Sequence, residues 1–246
     1  MEVDKHNWFE RWFNTSYYHL LYDNRNFDEA DAFIANLIKH LQIKTHAKIW
    51  DLACGKGRHA IALNKYGCDV IGTDLADDSI NEALYFENET LCFYKLDMRS
   101  PFRSNYFDYA LNLFTSFGYF TSSNDDLKVF KSISNSLKKN GIFVFDYLNK
   151  NEVIRTLQPH HETIKNNIKF SINKKIEGTK IIKQIQVKDE ENTYEYLESV
   201  SLYSVDDILA LASKAKLEKE AIFGDYHLNA YDATTSTRMI IFFRKK

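Results

Sequence analysis

Residues that interrupt regular structure are scarce in this sequence: only two of its 246 residues are proline and eight are glycine. Neither an internal repeat nor a low-complexity linker is present, which argues against a repeat protein or a disordered chain. Hydrophobic residues make up 44% of the chain and aromatic residues 15%, enough to bury a substantial core. We therefore predict a single domain over residues 1–246.

Cysteines and long apolar runs are few as well. Cys54, Cys68 and Cys92 form no C-x-x-C pair, and residues 1–14 lack the charged and apolar regions of a secretory signal. No apolar run approaches the roughly 20 residues that would span a bilayer. We therefore expect a cytoplasmic protein without a membrane partner.

An excess of charge of one sign is also missing, because the formal net charge is −2. A protein that binds polyanions nonspecifically needs a basic surface, so this balance argues against nucleic acid as a partner. Lysine-rich patches such as Lys174 and Lys175 are candidates for local contacts only.

The order of apolar runs and turn residues predicts a doubly wound α/β sheet. Strands are expected at 48–52, 69–73, 91–96, 106–114 and 142–147, with helices at 58–66, 77–87 and 124–138. Residues 160–202 then alternate in the manner of strands, which predicts a small inserted antiparallel β-sheet. A helix at 205–215 and strands at 217–223 and 237–243 return to the main sheet. The last two strands are antiparallel because only a loop joins them.

Two helices are expected before the sheet, within residues 1–42. The second covers 28–41, and the first carries aromatic residues at helical spacing, namely Trp8, Phe9, Trp12, Phe13 and Tyr17. The sheet core is then expected at 47–150 and 203–246, with the insert at 160–202.

A glycine turn after the first strand indicates a nucleotide site. The segment Asp51-Leu52-Ala53-Cys54-Gly55-Lys56-Gly57 ends a strand, and Asp74 follows the next strand about 20 residues later. The glycines alone would also suit a nicotinamide or flavin dinucleotide. A carboxylate at Asp51 would repel a pyrophosphate, however, whereas S-adenosylmethionine offers it an ammonium and a sulfonium.

The same segments resemble the motifs of class I S-adenosylmethionine-dependent methyltransferases, in particular the small-molecule branch. The first motif is similar to 51–57, the acidic second-strand motif to Gly72-Thr73-Asp74-Leu75, and the adenine-edge motif to Leu96-Asp97-Met98-Arg99. Asn112 to Tyr119 resembles the fourth-strand segment, and the aromatic N-terminus resembles the lid helix. The resemblance implies a seven-stranded Rossmann-like sheet whose last strand is antiparallel, beneath N-terminal lid helices.

S-adenosyl-L-methionine is the cofactor that this resemblance implies. Asp74 would accept hydrogen bonds from the ribose hydroxyls and Asp97 from the adenine amino group, while Met98 would offer its backbone N–H. Gly55 and Gly57 would permit close approach of the backbone. The full set of expected cofactor residues is Asp51, Ala53, Gly55, Gly57, Arg58, Asp74, Leu75, Asp97, Met98, Arg99, Asn112 and Leu113.

Candidate catalytic residues are Tyr17, Tyr119 and His227, with Asn149 beyond the fifth strand as a further substrate contact. Aromatic side chains at helical spacing are usually packing residues, and a loop histidine is usually solvated, so each candidate has a structural alternative.

Two further groups of residues have ligand and structural interpretations. Arg25 and Arg58 are interpreted either as contacts to the cofactor carboxylate or as solvated side chains. No metal is predicted, because His160 and His161 lack a third ligand at suitable spacing.

The expected function is methyl transfer to nitrogen or oxygen of a small metabolite, by a monomer or homodimer. The fourth strand ends in Asn112-Leu113-Phe114-Thr115, unlike the Pro-Pro element with which related enzymes clamp a flipped nucleic-acid base. Three alternatives stay open: a noncatalytic module that binds S-adenosylmethionine, a methyltransferase acting on protein, and one acting on nucleic acid.

Overall fold

The computed structural model describes residues 8–23 and 27–246, and residues 1–7 of the expected lid segment lie outside these ranges. In the described part of the chain the helices are α1 (Trp8–Trp12), α2 (Ser16–Leu21), α3 (Phe27–Leu41), α4 (Arg58–Lys65), α5 (Asp77–Ala83), α6 (Ser123–Ser136), α7 (Lys150–Arg155) and α8 (Val205–Lys214). The strands over the same residues are β1 (Lys48–Leu52), β2 (Asp69–Asp74), β3 (Leu91–Lys95), β4 (Phe107–Asn112), β5 (Leu137–Leu148), β6 (His160–Lys165), β7 (Ile168–Glu177), β8 (Lys180–Asp189), β9 (Asn192–Ser201), β10 (Leu217–Phe223) and β11 (Arg238–Lys245).

The main sheet has seven strands in the order β10-β11-β5-β4-β1-β2-β3. Strands β1 to β5 run parallel, whereas β11 is antiparallel to both of its neighbours, β5 and β10. The predicted doubly wound sheet with an antiparallel last strand is therefore confirmed. This order brings the carboxyl ends of β1, β2, β3 and β4 to one edge, where open α/β sheets bind ligands.

A second, four-stranded sheet, β6-β7-β8-β9, forms the insert. Each neighbouring pair in it is antiparallel, which confirms the predicted inserted sheet. The short helix α7 before it was not predicted. It begins there because the Asn149 side chain accepts a hydrogen bond from the Asn151 backbone N–H at 3.2 Å, which caps the first turn.

The N-terminal segment differs from the expected single aromatic helix before 28–41. It forms two short helices, α1 and α2, because Thr15 interrupts the first and caps the second. The Thr15 hydroxyl accepts from the Tyr18 N–H at 3.1 Å and donates to the Trp12 carbonyl at 2.8 Å. The aromatic residues of α1 are packing residues, with Trp8 3% exposed and Trp12 fully buried.

The core lies on both faces of the main sheet. One face buries Trp50, Phe130 and Phe143, and the other packs Phe33 and Leu37 of α3 against the sheet. Each such side chain contributes about 1.5–3 kcal/mol relative to an exposed position. Over residues 8–23 and 27–246, no helix combines the length and apolar character that a bilayer crossing demands.

Candidate functional site

Two adjoining cavities lie at the carboxyl edge of the main sheet. The smaller, of about 100 Å³, lies beside the ends of β2 and β3, and its lining includes Asp74, Leu75, Asp97 and Met98. The larger, of about 680 Å³, extends from Ala53 and Leu113 towards the insert. Both are lined by Phe13, Tyr18, Ala53, Ser116 and Tyr119. A ligand in the smaller cavity would therefore face one in the larger.

The glycine turn after β1 is held against the end of β2. One Asp74 oxygen accepts from the Gly55 N–H and the other from the Ala76 N–H, each at 2.8 Å. Gly57 has φ +83° and is the N-cap residue of α4, and a Cβ there would lie 2.7 Å from the Phe93 ring. A Cβ on Gly55 would meet no nearby atom outside its chain neighbours. The turn therefore leaves open space in front of Gly55.

Asp51 lies beneath this turn and is 1% exposed. Its Oδ2 is buried and has no hydrogen-bond partner within residues 8–23 and 27–246. Burial, with a smaller contribution from Asp74, raises the pKa of Asp51 to about 7, although Arg58 and the Ala60 N–H oppose the shift. Asp51 lines neither cavity. A cation that reached its buried oxygen would satisfy it, and the ammonium and sulfonium of S-adenosylmethionine are such groups.

This pKa gives the affinity for S-adenosylmethionine a predictable pH dependence. A raised carboxyl pKa means that the free protein holds a proton on Asp51 below about pH 7, and a bound cation favours its release. We expect the affinity to fall about tenfold as the pH drops from about 7 to about 5.5. Calorimetric titration measures the affinity at each pH. Asp51→Asn, which cannot ionise, should flatten the profile, and an equally steep profile in this variant would contradict the assignment.

The Asp97 carboxylate lines the smaller cavity, and Arg99 holds it in place. Arg99 Nε donates to the two Asp97 oxygens at 3.0 and 2.9 Å, and its Nη1 lies 3.4 Å from Asp125. Burial would raise the pKa of Asp97, but the hydrogen bonds from Arg99 outweigh it and lower the pKa. Arg99 is not among the residues that line either cavity, so it positions Asp97 rather than extending into the space beside it.

The segment after β4 is strained where it reaches the cavities. Phe114 and Thr115 both adopt left-handed backbone conformations, with φ of +62° and +61°. Such conformations cost about 1–2 kcal/mol for each residue with a side chain. Asn112 secures the start of the segment, donating to the Leu52 carbonyl at 3.3 Å and to the Ser116 carbonyl at 3.1 Å. Asn112 therefore shapes the loop, while Leu113 lines the larger cavity.

A buried ion pair supports the strained segment. Asp146 is fully buried on β5, and one of its oxygens accepts from the Phe114 N–H at 2.7 Å. The other accepts from Arg238 Nε at 2.8 Å, and Arg238 also donates to the Thr115 hydroxyl at 2.8 Å. Sequence reasoning missed both residues. The sequence does place Asp146 and Arg238, which are oppositely charged, in two apolar strands. These residues are 92 positions apart, so the sequence alone does not show that they pair.

The insert and α2 form the far wall of the larger cavity. Glu198 is 6% exposed and accepts from the Trp12 indole at 2.8 Å and the Tyr22 hydroxyl at 2.6 Å. Lys183 lies 2.6 Å from its other oxygen. Burial would raise the pKa of Glu198, but Lys183 and these donors lower it, so the side chain stays ionised. Sequence analysis missed this cluster because its members come together only in the folded chain.

The catalytic candidates are separated in the structure. Tyr119 lines both cavities, and its hydroxyl donates to the Thr115 carbonyl at 2.6 Å. Tyr17 lies outside the lining of either cavity because its hydroxyl donates to Asp189 of the insert at 2.7 Å. His227 also lies outside the linings of both cavities. It lies in an exposed loop, where its backbone N–H donates to the Asp225 carboxylate at 2.9 Å.

The remaining candidates divide in the same way. Arg58 lines the larger cavity, 3.7 Å from Glu29. Asn149 donates to the Ala233 and Ser236 carbonyls at 3.1 and 2.8 Å, which fixes a loop. Arg25 lies outside the described residues. Within residues 8–23 and 27–246, no three His, Cys, Asp or Glu residues are grouped in a way that could hold a metal ion.

The position of Tyr17 gives a test of its role. Tyr17→Phe removes the hydrogen bond to Asp189 and should lower the free energy of unfolding by about 0.5–1.5 kcal/mol. Affinity for S-adenosylmethionine should stay within about twofold, because the ring remains beside Tyr194. Urea denaturation and calorimetric titration measure the two quantities. A large loss of affinity for S-adenosylmethionine in a folded variant would show that Tyr17 belongs to the binding site.

The strand order of the main sheet is that of the Rossmann-like methyltransferase fold. Residues 50–145 match the family model described as "Methyltransferase domain". The chain is 33% identical over 102 residues to YqeM of Bacillus subtilis, in an alignment covering 40% of this chain and 41% of that protein. The match thus spans less than half of that curated relative.

Solved structures share the fold over nearly the whole chain. An S-adenosylmethionine-dependent methyltransferase from Clostridium acetobutylicum has a TM-score of 0.78 at 19% identity, covering 93% of this chain and 96% of that one. CalS10 of Micromonospora echinaspora, an amino pentose methyltransferase solved with S-adenosylmethionine bound, has a TM-score of 0.72 at 16% identity, covering 94% and 98%.

Proposed function

We propose that this protein transfers the methyl group of S-adenosylmethionine to a nitrogen of a small polar metabolite. The observation that carries the proposal is the junction of the two cavities at Ala53, Ser116 and Tyr119. A cofactor with its adenosine part in the smaller cavity and its methionine end at the junction would meet an acceptor held in the larger cavity. The sequence leaves nitrogen and oxygen open as the acceptor atom, and the proposal of nitrogen rests on the charge of the larger cavity.

The residues around the smaller cavity suit each part of the cofactor. Asp74 would accept from the ribose hydroxyls, and Asp97 from the adenine amino group beside Met98. Ala53 and Arg58 line the larger cavity, where the methionine end would lie, with Arg58 facing its carboxylate and the buried Asp51 behind Ala53 in sequence facing its ammonium. When bound, the cofactor supplies an electrophilic methyl group. The protein's own task is alignment, which can lower a barrier by about 7–11 kcal/mol.

The charge of the larger cavity favours an amine as the methyl acceptor. Its lining contains five cations, Lys56, Arg58, Lys174, Lys183 and Arg238, against the anions Asp23 and Glu198. Among the described residues, all of these cations except Lys174 pair with a carboxylate, so Lys174 carries the excess positive charge. Positive surroundings lower the pKa of an amine and keep its lone pair free for attack. An amine also needs no strong base, unlike a hydroxyl. The fold shared with CalS10, an amino pentose methyltransferase, points in the same direction.

A product assay tests this proposal. The purified chain is incubated with S-adenosylmethionine and a panel of amino sugars and other small polar amines, with mass spectrometry of the products. We expect S-adenosylhomocysteine to accumulate only in the presence of an accepted amine, together with its methylated form. Cofactor binding without product across the panel would instead favour a noncatalytic binding module. A cytoplasmic location and the oligomeric state stay predictions from the sequence.

A further inference from the structure

Three charged side chains lie in a row across one face of the insert. Lys174 of β7 is the register partner of Lys183 of β8, which in turn is the partner of Glu198 of β9. On the same face the neighbouring row holds Ile172 and Ile185, both buried. Because side chains alternate along a strand, the charged row belongs to the covered face, which we call the inner face.

The charges in this row do not balance. Glu198 is fully engaged, by Lys183 at 2.6 Å and by the Tyr22 and Trp12 donors. The Lys174 ammonium has no ion pair or hydrogen bond within residues 8–23 and 27–246. Two like charges directly opposite each other on a sheet destabilise it. Burial, and then the charge of Lys183, lower the pKa of Lys174, and the more distant charge of Glu198 opposes the shift without outweighing them.

The unbalanced charge faces open space on two sides. Lys174 and Lys183 line the larger cavity and also a third cavity of about 320 Å³. Tyr22 separates the two cavities, and Thr163 and Lys165 complete the polar wall of the third. Lys165 is already paired with Asp23. The space beside Lys174 is therefore bordered mainly by hydrogen-bond donors, which suit an anion.

We propose that Lys174 and Lys183 form an anion-binding subsite on the inner face of the insert, which holds a phosphate or carboxylate group of the methyl acceptor. The acceptor would then extend from the cavity junction, where its nitrogen reacts, to the insert, where its anionic group is bound. This assignment of the acceptor class rests on the proposed methyltransferase function. The subsite itself can be tested without methyl transfer.

The test titrates the full chain with pyrophosphate and, separately, with malonate, in a calorimeter at constant ionic strength. We expect saturable binding of one anion per chain. Lys174→Ala should weaken it about tenfold, and Lys174→Glu should abolish it. Lys175→Ala is the matched control, since Lys175 lies on the opposite face of β7, exposed and beside Glu177, and should bind as the unaltered protein does.

The outcomes separate the two proposals. Binding of pyrophosphate alone supports a phosphate-bearing acceptor, and binding of malonate alone supports a carboxylate. The subsite would be overturned if neither probe showed saturable binding. It would also be overturned if Lys174→Ala bound the probes as tightly as the unaltered protein does. Thermal stabilisation by S-adenosylmethionine is measured on the same samples. If it is absent while Lys174-dependent anion binding persists, the methyltransferase proposal fails and the subsite stands.

Discussion

Replacement of Asp74 by alanine is expected to weaken S-adenosylmethionine binding by about 100-fold or more. Its carboxylate lines the smaller cavity and also fixes the Gly55 and Ala76 N–H groups at 2.8 Å, so one change removes a ligand contact and the support of the turn. Hydrogen bonds to a charged group contribute about 1.5–3 kcal/mol each. Loss of both ribose contacts accounts for the expected change.

Thermal shift makes this loss visible. A ligand at about 100 times its dissociation constant stabilises the native state by about 2.7 kcal/mol, which drops to about 0.4 kcal/mol when the affinity is 100-fold weaker. Asp97→Ala should behave similarly. Asp77→Ala is the control, because Asp77 is an exposed residue of the neighbouring helix paired with Lys95. Undiminished affinity in both cavity variants, with native far-UV spectra, would refute the cofactor site.

Arg238→Met should lower the free energy of unfolding by about 3–5 kcal/mol, because it leaves the buried Asp146 carboxylate without its cation. The effect should extend to the cavities. Without Arg238 the Thr115 hydroxyl loses its donor, and Phe114 and Thr115 lose part of the support for their left-handed conformations. We therefore expect weaker cofactor binding together with lower stability in urea denaturation.

Arg244→Met provides the matched control for this variant. Arg244 lies on the same strand and also pairs with a carboxylate, Glu220, but both side chains are more than one third exposed. Exposed ion pairs contribute about 0–1 kcal/mol. Similar losses in the free energy of unfolding of the two variants would mean that burial does not determine how much the Asp146–Arg238 pair contributes to stability.

Much of the fold could be predicted because its strands are local patterns. Strands β1 and β10 occur with the predicted bounds. Asp51 and Asp74 lie at the carboxyl ends of β1 and β2, and Asp97 lies two residues after β3. Parallel pairing brings those strand ends to one edge. The strand order alone therefore predicted that the three aspartates lie at one edge of the sheet.

The acceptor side of the site could not be predicted in the same way. Which face of the insert is covered depends on how it rests on α1 and α2, and no local pattern encodes that placement. In the sequence, Glu198 therefore looks like an ordinary strand residue. In the structure it accepts a hydrogen bond from Trp12, which is 186 positions away in the chain. Tyr17 was correctly placed on a helix, but the direction of its hydroxyl towards Asp189 is a tertiary property.

The two halves of the cleft come from separate stretches of the gene. The residues that line the smaller cavity all precede position 121, whereas the insert contributes its wall of the larger cavity from residues between 174 and 200. Under the proposed function, sequence change within the insert would alter acceptor choice more than cofactor binding, because no residue of the insert lines the smaller cavity. Donor use and acceptor preference can thus evolve separately in this architecture.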